Sequence, residues 1–266
     1  YLGGNSSVFF DYTKQSGLNL SQVEPQSLIS SHFWDFNNDG NLDLLISDDV
    51  NQPLFFMNDG AGQFQNQIIN GILLKANTRI FGVTLSDFNN DGMIDLFFPF
   101  QTQIENQRFA MYINKGNMNF EEINASTFFT TSSLSASATV SVSEDFNNDG
   151  FMDIFIHNQK SPPLMLLNKG DGHFIDASED CGFTETIFHP EPFNGIINAA
   201  DVNNDGWTDI FVSSKLYLNS EGCRFKEVSE QTGLNFIGNP AFNDIDDDGD
   251  MDLFIGSSAG ALGKGD

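Results

Sequence analysis

Short apolar runs and polar turns alternate along the chain at a spacing typical of β-strands. Five apolar runs each follow an acidic segment directly: Leu44-Leu45-Ile46, Leu96-Phe97-Phe98, Ile154-Phe155-Ile156, Ile210-Phe211-Val212 and Leu253-Phe254-Ile255. Unbroken apolar runs of this length predict strands that are buried on both faces. Few helical signals lie between these runs, so we expect an all-β fold.

A hairpin signal follows each of the first four runs. A second apolar run ends in Asn, a turn follows, and the next strand begins with Phe; the Asn residues are Asn58, Asn114, Asn168 and Asn219. Asn and Gly tolerate the positive φ that tight turns require. The repeating unit therefore has four strands, in which the acidic segment joins the first two and the Asn turn joins the last two.

The acidic segment is a nine-residue pattern, D-x-[DN]-x-D-G-x-x-D, that occurs five times. The copies begin at Asp35, Asp87, Asp145, Asp201 and Asp244, so successive starts are 52, 58, 56 and 43 residues apart. Four-stranded units at this spacing are typical of β-propeller blades.

The two ends of the chain complement each other. The opening stretch YLGGNSSVFFDYTKQSGL is similar to YLNSEGCRFKEVSEQTGL, which begins at Tyr217 and contains the third and fourth strands of a unit. The last acidic segment has only first and second strands around it. We therefore predict one β-propeller domain over residues 1–266, with five blades closed by pairing of N- and C-terminal strands, a closure that removes exposed edges. The alternative is a fragment of a longer, seven-bladed propeller. The predicted blades are residues 28–70, 78–126, 137–184 and 194–236, and residues 1–22 combined with 238–266.

The spacing within the acidic segment is suited to calcium. Side-chain oxygens at positions 1, 3 and 5 can converge, Gly at position 6 allows a sharp turn, position 7 offers its carbonyl, and Asp at position 9 can chelate. An all-oxygen set disfavours zinc and copper, and magnesium would demand a tighter octahedron. An EF-hand is excluded because position 12 of the first copy is Ile46, inside a predicted strand.

We therefore expect about five Ca²⁺ ions. The predicted ligands are Asp35, Asn37, Asp39, Asn41 and Asp43; Asp87, Asn89, Asp91, Met93 and Asp95; Asp145, Asn147, Asp149, Phe151 and Asp153; Asp201, Asn203, Asp205, Trp207 and Asp209; and Asp244, Asp246, Asp248, Asp250 and Asp252.

These loops, the strands after them and the tails FIDASEDCGF and FKEVSEQTGL resemble the FG-GAP/VCBS repeat family, best known from the propeller of integrin α subunits. The resemblance covers almost the whole chain and implies calcium in the acidic loops on one face of the propeller. A Phe-Gly-Gly-Ala-Pro signature is missing, and Phe81-Gly82-Val83 is its nearest approach. Integrin-type ligand binding is therefore not implied.

Composition limits the function further. The chain has 37 acidic and 11 basic residues, a net charge of −26, which excludes a nucleic-acid binder driven by phosphate contacts. No apolar stretch approaches the roughly 18 residues of a membrane helix, so no membrane insertion is expected. Because calcium is plentiful outside cells, we expect an extracellular, periplasmic or cell-surface location. Cys181 and Cys223 are assigned to opposite faces of the ring, which predicts that they are unpaired.

We find no catalytic motif in the sequence, so we expect no enzyme. His32, His157, His173 and His189 form no H-E-x-x-H pair, and G-x-S-x-G is absent. Loops between second and third strands, and loops between blades, gather on the face opposite calcium, where residues 48–53, 99–108, 157–163 and 184–192 could contact a partner. The leading hypothesis is an adhesion or recognition module for a protein or glycan ligand. The alternatives are a polysaccharide-processing enzyme, such as a lyase, and a passive calcium-stabilised unit of a larger surface protein.

Overall fold

The structure is a computed structural model that describes residues 2–3, 9–18, 20, 28–48, 52–74, 79–80, 82–101, 109–123, 129–130, 138–158, 160–187, 197–233 and 239–256. Its strands are β1 (Leu2–Gly3), β2 (Phe9–Phe10), β3 (Leu28–Trp34), β4 (Asp43–Asp48), β5 (Leu54–Asn58), β6 (Phe64–Gln67), β7 (Arg79–Ile80), β8 (Thr84–Ser86), β9 (Asp95–Gln101), β10 (Phe109–Asn114), β11 (Phe120–Ile123), β12 (Phe129–Thr130), β13 (Ala138–Glu144), β14 (Asp153–Asn158), β15 (Leu164–Asn168), β16 (Phe174–Asp176), β17 (Ile197–Ala200), β18 (Asp209–Val212), β19 (Lys215–Leu218), β20 (Lys226–Glu227), β21 (Asn239–Asn243) and β22 (Asp252–Gly256). One short helix, α1, covers Ser229–Thr232. In the part of the chain described, no helix is long and apolar enough to span a membrane.

Four antiparallel blades form the centre of the fold, which confirms the predicted β-propeller architecture. The first blade has the strand order β3-β4-β5-β6, and the fourth has the order β17-β18-β19-β20. In the second, β9 pairs with β10 and β10 with β11, while both β7 and β8 pair with β9. The third has the order β13-β14-β15-β16, with β12 added in parallel to β16. The residue limits of the blades and the single-domain arrangement stay predictions.

The second strands are apolar on both faces because each blade is packed between neighbours. In β9, Leu96, Phe97 and Phe98 are all 0% exposed. Leu96 and Phe98 contribute to the core shared with the first blade, whereas Phe97 contributes to the core shared with the third. The hydrophobic core is therefore divided into layers between blades, and successive residues of one strand serve two different layers.

The segment that follows each fourth strand, called the tail, crosses to the next blade. The Phe120 N–H donates to the Asn70 carbonyl over 3.1 Å, and the Phe225 N–H donates to the Cys181 carbonyl over 3.0 Å. The same bond joins the Phe64 N–H to the Ser16 carbonyl at 2.6 Å. Each tail thus attaches one blade to the outer strand of its successor.

The two ends of the chain form separate hairpins. In the first, Leu2 pairs with Phe10, the same register that joins Leu218 to Lys226 in the fourth blade, so β1 and β2 have the predicted character of third and fourth strands. The last hairpin, β21 with β22, packs on the fourth blade through Phe242 and Leu253. Among the described strands, no pairing connects β22 to β1, so closure of the ring by these ends stays a prediction.

The last hairpin has one face without a neighbouring blade. Phe254 is 62% exposed, whereas the equivalent residues of the four complete blades, Leu45, Phe97, Phe155 and Phe211, are at most 1% exposed. Phe33, which pairs with Leu44 in the first blade, is 57% exposed. Both exposed rings lie where the fifth blade would meet the first, the contact that ring closure would bury.

Cys181 and Cys223 form a disulfide, so the prediction that they are unpaired is wrong. Their Cα atoms are 5.2 Å apart, and their side chains are 2% and 0% exposed. Cys181 and Cys223 fall in different predicted blades, residues 137–184 and 194–236. The tail of the third blade crosses to the fourth blade, where the Cys181 carbonyl accepts the Phe225 N–H and the cysteine reaches Cys223.

Removal of this disulfide is expected to destabilise the junction of the third and fourth blades. The bond closes a chain separation of 42 residues, for which loop-closure entropy corresponds to roughly 4 kcal/mol of stability. We expect the Cys181→Ala/Cys223→Ala variant to unfold at lower urea concentration than the parent. An unchanged urea midpoint would show that the crossing tail alone holds these blades together.

Candidate metal-binding loops

The five acidic segments adopt one loop conformation. The fourth position has a left-handed backbone in every copy, with φ between 55° and 59° at Asn38, Asn90, Asn148, Asn204 and Asp247. The sixth-position glycines have φ between 84° and 94°. Asn, Asp and Gly are the residues that adopt positive φ most readily. The sequence therefore fixes the loop shape locally, before any contact between blades.

Backbone N–H groups orient the carboxylates at positions 1 and 5 of each loop. In the first loop, Asp35 accepts the Asp39 N–H at 3.0 Å on one oxygen and the Gly40 N–H at 2.7 Å on the other. Asp39 accepts the N–H of the seventh residue, Asn41, at 2.8 Å. The same three bonds occur in the other four loops, at 2.7–3.1 Å. The carboxylates at positions 1 and 5 are therefore held over the loop backbone in all five copies.

The third-position side chain adds an oxygen to this arrangement in the first four loops. The Asn37 Oδ1 accepts the Asp39 N–H at 2.8 Å, and the Asn37 Nδ2 donates to Asp39. The other three loops repeat both bonds through Asn89, Asn147 and Asn203. The structure thus brings the predicted side chains at positions 1, 3 and 5 into one hydrogen-bonded loop.

In the first four loops, the ninth-position aspartate lies beneath the loop, in the blade core. Asp43, Asp95 and Asp153 are 0% exposed and Asp209 is 1% exposed. In the third loop, Asp153 accepts the Phe146 N–H at 3.0 Å and the Asn168 N–H at 2.8 Å. Equivalent pairs of backbone bonds hold the other three carboxylates. Each buried carboxylate is therefore oriented by two backbone donors.

Burial makes these four carboxylates costly to ionise. Desolvation raises the pKa of Asp95 and Asp153 to about 7 and that of Asp209 to about 6, and it also raises the pKa of Asp43. The backbone donors oppose this rise, whereas the carboxylates at positions 1 and 5 add to it. A divalent cation would remove this penalty by compensating the charge. The donor chemistry, amide and carboxylate oxygens around a buried carboxylate, fits a hard cation such as calcium.

This arrangement predicts opposite pH dependences with and without calcium. In chelator, the folded chain keeps Asp95 and Asp153 protonated up to about pH 7, whereas the unfolded chain releases those protons near pH 4. The folded state then binds more protons, so stability falls as pH rises from about 4 to about 7. With calcium bound, the ionised form is favoured, and stability should fall as pH drops. Melting temperatures across this range, with and without calcium, measure both trends.

The Asp153→Asn variant is the control for the general effect of net charge. Because it removes one of the raised groups, its melting temperature in chelator should depend less on pH than that of the parent. Equal slopes in the two proteins would contradict the assignment to the buried aspartates.

The fifth loop is more acidic and more open than the others. Carboxylate oxygens of Asp244, Asp246 and Asp252 all lie within 4.8 Å of one another, which is the one such group of three in the described part of the chain. Asp252 is exposed, unlike the other ninth-position residues, because no third strand pairs with β22 among the described residues. The loop brings together the oxygens that a cation requires, but without the buried environment of the first four.

The structure identifies site residues that the sequence analysis treated only as turn residues. The asparagine at the end of each third strand donates its own N–H to the ninth-position aspartate; these residues are Asn114, Asn168 and, one residue beyond β19, Asn219. Asn58 does the same for Asp43 at 2.9 Å. The signal was present, since Asn occupies this place in four hairpins, but its contact with the acidic loop depends on how the strands pair.

The fourth-position asparagines join adjacent loops. The Asn148 Nδ2 donates to the Gly206 carbonyl at 2.9 Å, and the Asn204 Nδ2 donates to the Gly249 carbonyl at 3.2 Å and to Asp250 at 2.6 Å. The last three loops therefore form a continuous polar surface on one face.

The segments that match a known repeat family contain acidic loops. The FG-GAP-like repeat model matches residues 35–98 and 145–212, and each match begins at the first aspartate of one acidic loop and includes the next loop. The chain carries FG-GAP-like repeats over these two segments. The resemblance inferred from the loops and tails is thereby confirmed.

Two relatives of this FG-GAP-like chain share part of its sequence. Cartilage acidic protein 1 of Xenopus tropicalis is 29% identical over 122 residues, which cover 42% of this chain and 18% of that protein. The Homo sapiens protein of the same name is 28% identical over 122 residues, covering 40% and 17%. The match thus spans less than a fifth of these curated relatives. A crystal structure of rhamnogalacturonan lyase YesW aligns with 86% of this chain and 46% of its own at a TM-score of 0.47 and 15% identity.

The four segments predicted to form the recognition face of the FG-GAP-like chain are described only in part. Residues 49–51, 102–108, 159 and 188–196 lie outside the described residues. His157, at the start of the third segment, is 0% exposed, and its Nε2 lies 3.1 Å from the Ile187 carbonyl oxygen. This histidine therefore connects the third segment to Ile187 of the fourth segment and offers no surface to a partner.

Proposed function

We propose that the five acidic loops each bind one Ca²⁺ and that the chain is a calcium-stabilised propeller module for extracellular recognition. The observation that carries this proposal is the set of four ninth-position aspartates, each at most 1% exposed. A buried carboxylate is stable only when it is paired, coordinated or neutralised. Calcium would supply the missing positive charge and would link the loop to the blade core.

The arrangement of positive side chains supports a metal as the source of that charge. The ion pairs found among the described residues join Lys115 to Glu121 and Lys215 to Glu227, and the His173 ring lies 3.0 Å from Asp171. All three contacts lie outside the acidic loops. The chain has 37 acidic and 11 basic residues, a net charge of −26, and five Ca²⁺ would bring it to −16. Calcium is preferred over magnesium because it accepts the higher oxygen count and looser geometry of such loops.

An extracellular, periplasmic or cell-surface location is part of the same proposal. Calcium is abundant in these compartments, and the Cys181–Cys223 disulfide is of a kind that persists in oxidising surroundings. The bonded cysteines and the calcium loops would therefore be stable under the same conditions. The ligand on the opposite face is a protein or a glycan, bound by loops that the blades hold rigidly.

The role is proposed as non-enzymatic. His157 is buried against a backbone carbonyl, and His173 lies beside Asp171 in an exposed turn at 3.0 Å. Neither position resembles a general base aimed into a cleft. Sites at loop tips on a rigid scaffold suit recognition better than catalysis here.

Calorimetric titration of the calcium-free protein with calcium, after the chelator has been removed, tests the metal sites. We expect about five equivalents to bind. Magnesium at the same concentrations should release little heat. Absence of calcium binding by the folded protein would overturn the proposal. Binding of the calcium-loaded protein to a glycan array, repeated in chelator, then separates a lectin from a module for protein partners.

A further inference from the structure

Three buried asparagines connect neighbouring blades at the level of the acidic loops. Asn114 and Asn168 end the third strands of the second and third blades, and Asn219 directly follows the third strand of the fourth. The three residues are 1%, 1% and 3% exposed. Each side-chain Nδ2 donates to the eighth-position carbonyl of its own loop, at 3.1–3.2 Å. The amide is thus fixed to the loop that its own N–H also contacts.

The same Nδ2 atoms reach the loop of the preceding blade. They donate to the carbonyl of its second residue: Asn114 to Phe36 at 3.4 Å, Asn168 to Phe88 at 2.8 Å and Asn219 to Phe146 at 2.9 Å. Each phenylalanine donates its own N–H to the ninth-position aspartate of its loop, at 2.9–3.1 Å. The N–H of each phenylalanine therefore contacts the buried aspartate of its own loop. Its carbonyl contacts the asparagine of the next blade.

These bonds form a continuous sequence through four loops. From the first loop, Asp43 accepts from Phe36, whose carbonyl accepts from Asn114, whose N–H donates to Asp95. The second and third loops repeat the step through Asn168 to Asp153 and through Asn219 to Asp209. Successive buried aspartates of the first four loops are therefore connected through two residues, one phenylalanine and one asparagine.

We propose that Asn114, Asn168 and Asn219 are positioning residues that couple the calcium sites of adjacent blades. The inference rests on the proposed function, because it concerns the order in which those sites fill. An ion that fixes one loop also fixes its second-position carbonyl, which holds the next asparagine and thereby orients the next buried aspartate. The second ion then binds a site that is already ordered, so its binding loses less conformational entropy. This is positive cooperativity.

The fifth loop lies outside this connection. In the alignment of the chain ends, Gly3 takes the place of Asn219, so no side chain is present there to reach the Val202 carbonyl. Asp252, the ninth residue of that loop, is exposed. Four ions should therefore bind as a coupled set, whereas the fifth loop, which in the described structure contacts the fourth loop through the exposed Asn204 side chain, should fill without this coupling.

Asn58 offers a matched control within the same chain. It donates its N–H to Asp43 and its Nδ2 to the Leu42 carbonyl of its own loop at 3.0 Å. It begins the series, so the hydrogen bonds found for it in the described structure all remain within the first blade. Asn58→Ala should remove the side-chain bond to the Leu42 carbonyl, keep the backbone N–H bond to Asp43, and leave the contacts between loops intact.

The test is calcium titration of the whole chain, its Asn168→Ala variant and its Asn58→Ala variant, followed by calorimetry and near-ultraviolet circular dichroism. We expect a Hill coefficient above 1 for the parent chain and for Asn58→Ala. Asn168→Ala should lower that coefficient and weaken the affinity for calcium by about 5-fold or more. A merely structural role would lower the melting temperature and leave the Hill coefficient unchanged.

The outcomes separate this inference from the proposed function. If no protein binds calcium, the proposed function fails. If calcium binds and Asn168→Ala has the same Hill coefficient as the parent, the coupling alone is wrong. Should Asn168→Ala not fold, Asn114→Ala provides the same comparison between the first and second loops. Should neither fold, a Hill coefficient of 1 for the parent overturns the coupling and a value above 1 supports it.

Discussion

Chelation of calcium is expected to lower the melting temperature of this chain by at least about 10 °C. Four buried carboxylates, Asp43, Asp95, Asp153 and Asp209, would lose their counter-charge together. A site held at 100 times its Kd contributes roughly 2.7 kcal/mol, and 1 kcal/mol shifts the melting temperature of a chain this long by about 2–4 °C. One or two sites would already produce the expected change, even if the five contributions are not additive.

The measurement is thermal unfolding by circular dichroism in excess calcium and in excess chelator. Magnesium added to the chelated protein should restore little of the lost stability. A melting temperature that is the same in calcium and chelator would rule out structural calcium in these loops.

A pair of variants places the effect on the loops. Asp153→Asn removes a buried ninth-position charge, and Asp180→Asn removes an exposed charge in the tail of the third blade. Both change the net charge equally. We expect calcium to stabilise the first variant less than the parent and the second variant as much as the parent. Equal stabilisation of both would point to a general effect of charge.

The Gly71→Ala variant is expected to lose about 2–5 kcal/mol of stability. Gly71 lies in the tail that crosses from the first blade to the second, and its φ is 93°. A Cβ atom added there would overlap the carbonyl oxygen of Phe120, the residue whose N–H bonds to the tail at Asn70. The left-handed backbone costs about 1–2 kcal/mol with a side chain, and displacing a packed backbone costs about 1–3 kcal/mol more.

Gly62→Ala separates these two costs. Gly62 lies in the turn between β5 and β6 with φ 81°, and no atom lies within 4 Å of an added Cβ. This control should show only the cost of the left-handed backbone. Urea unfolding of both variants measures the difference, and equal losses would mean that the tail can move away from Phe120 without strain.

Gly17 and Gly182 occupy the same place in two other tails. An added Cβ would lie 2.8 Å from the Phe64 carbonyl oxygen at Gly17 and 2.9 Å from the Phe225 carbonyl oxygen at Gly182. Their φ values are 76° and 96°. The crossing tail is therefore a repeated joint that requires glycine at each of these three junctions, although the sequence analysis recognised it only as a similar tail.

Local spacing allowed the sequence to predict the loops and blades. Each candidate ligand set lies within nine residues. The shape of the loop depends on a fourth residue with left-handed backbone and on a glycine two residues later. The second strands were recognisable because a strand buried between two blades has an apolar residue at each central position, as in Leu96-Phe97-Phe98. Neither feature requires knowledge of distant contacts.

Contacts between blades could not be predicted in the same way. The Cys181–Cys223 bond joins residues 42 apart, and the bond from Asn168 to the Phe88 carbonyl joins residues 80 apart. Both depend on the path of the tails and on the register of the third strands. A turn asparagine and a cysteine have the same appearance in the sequence whether their partner lies in the same blade or the next.

The sequence by itself determined the strand order within a blade, the five acidic loops and the oxygen donors that each loop offers, because these follow from turn chemistry and from side-chain spacing over a few residues. Tertiary structure alone decided which carboxylates are buried, which asparagines join successive loops and that the cysteines pair. The physical reason is that burial and hydrogen bonding between blades arise only when the tails bring separate blades into contact.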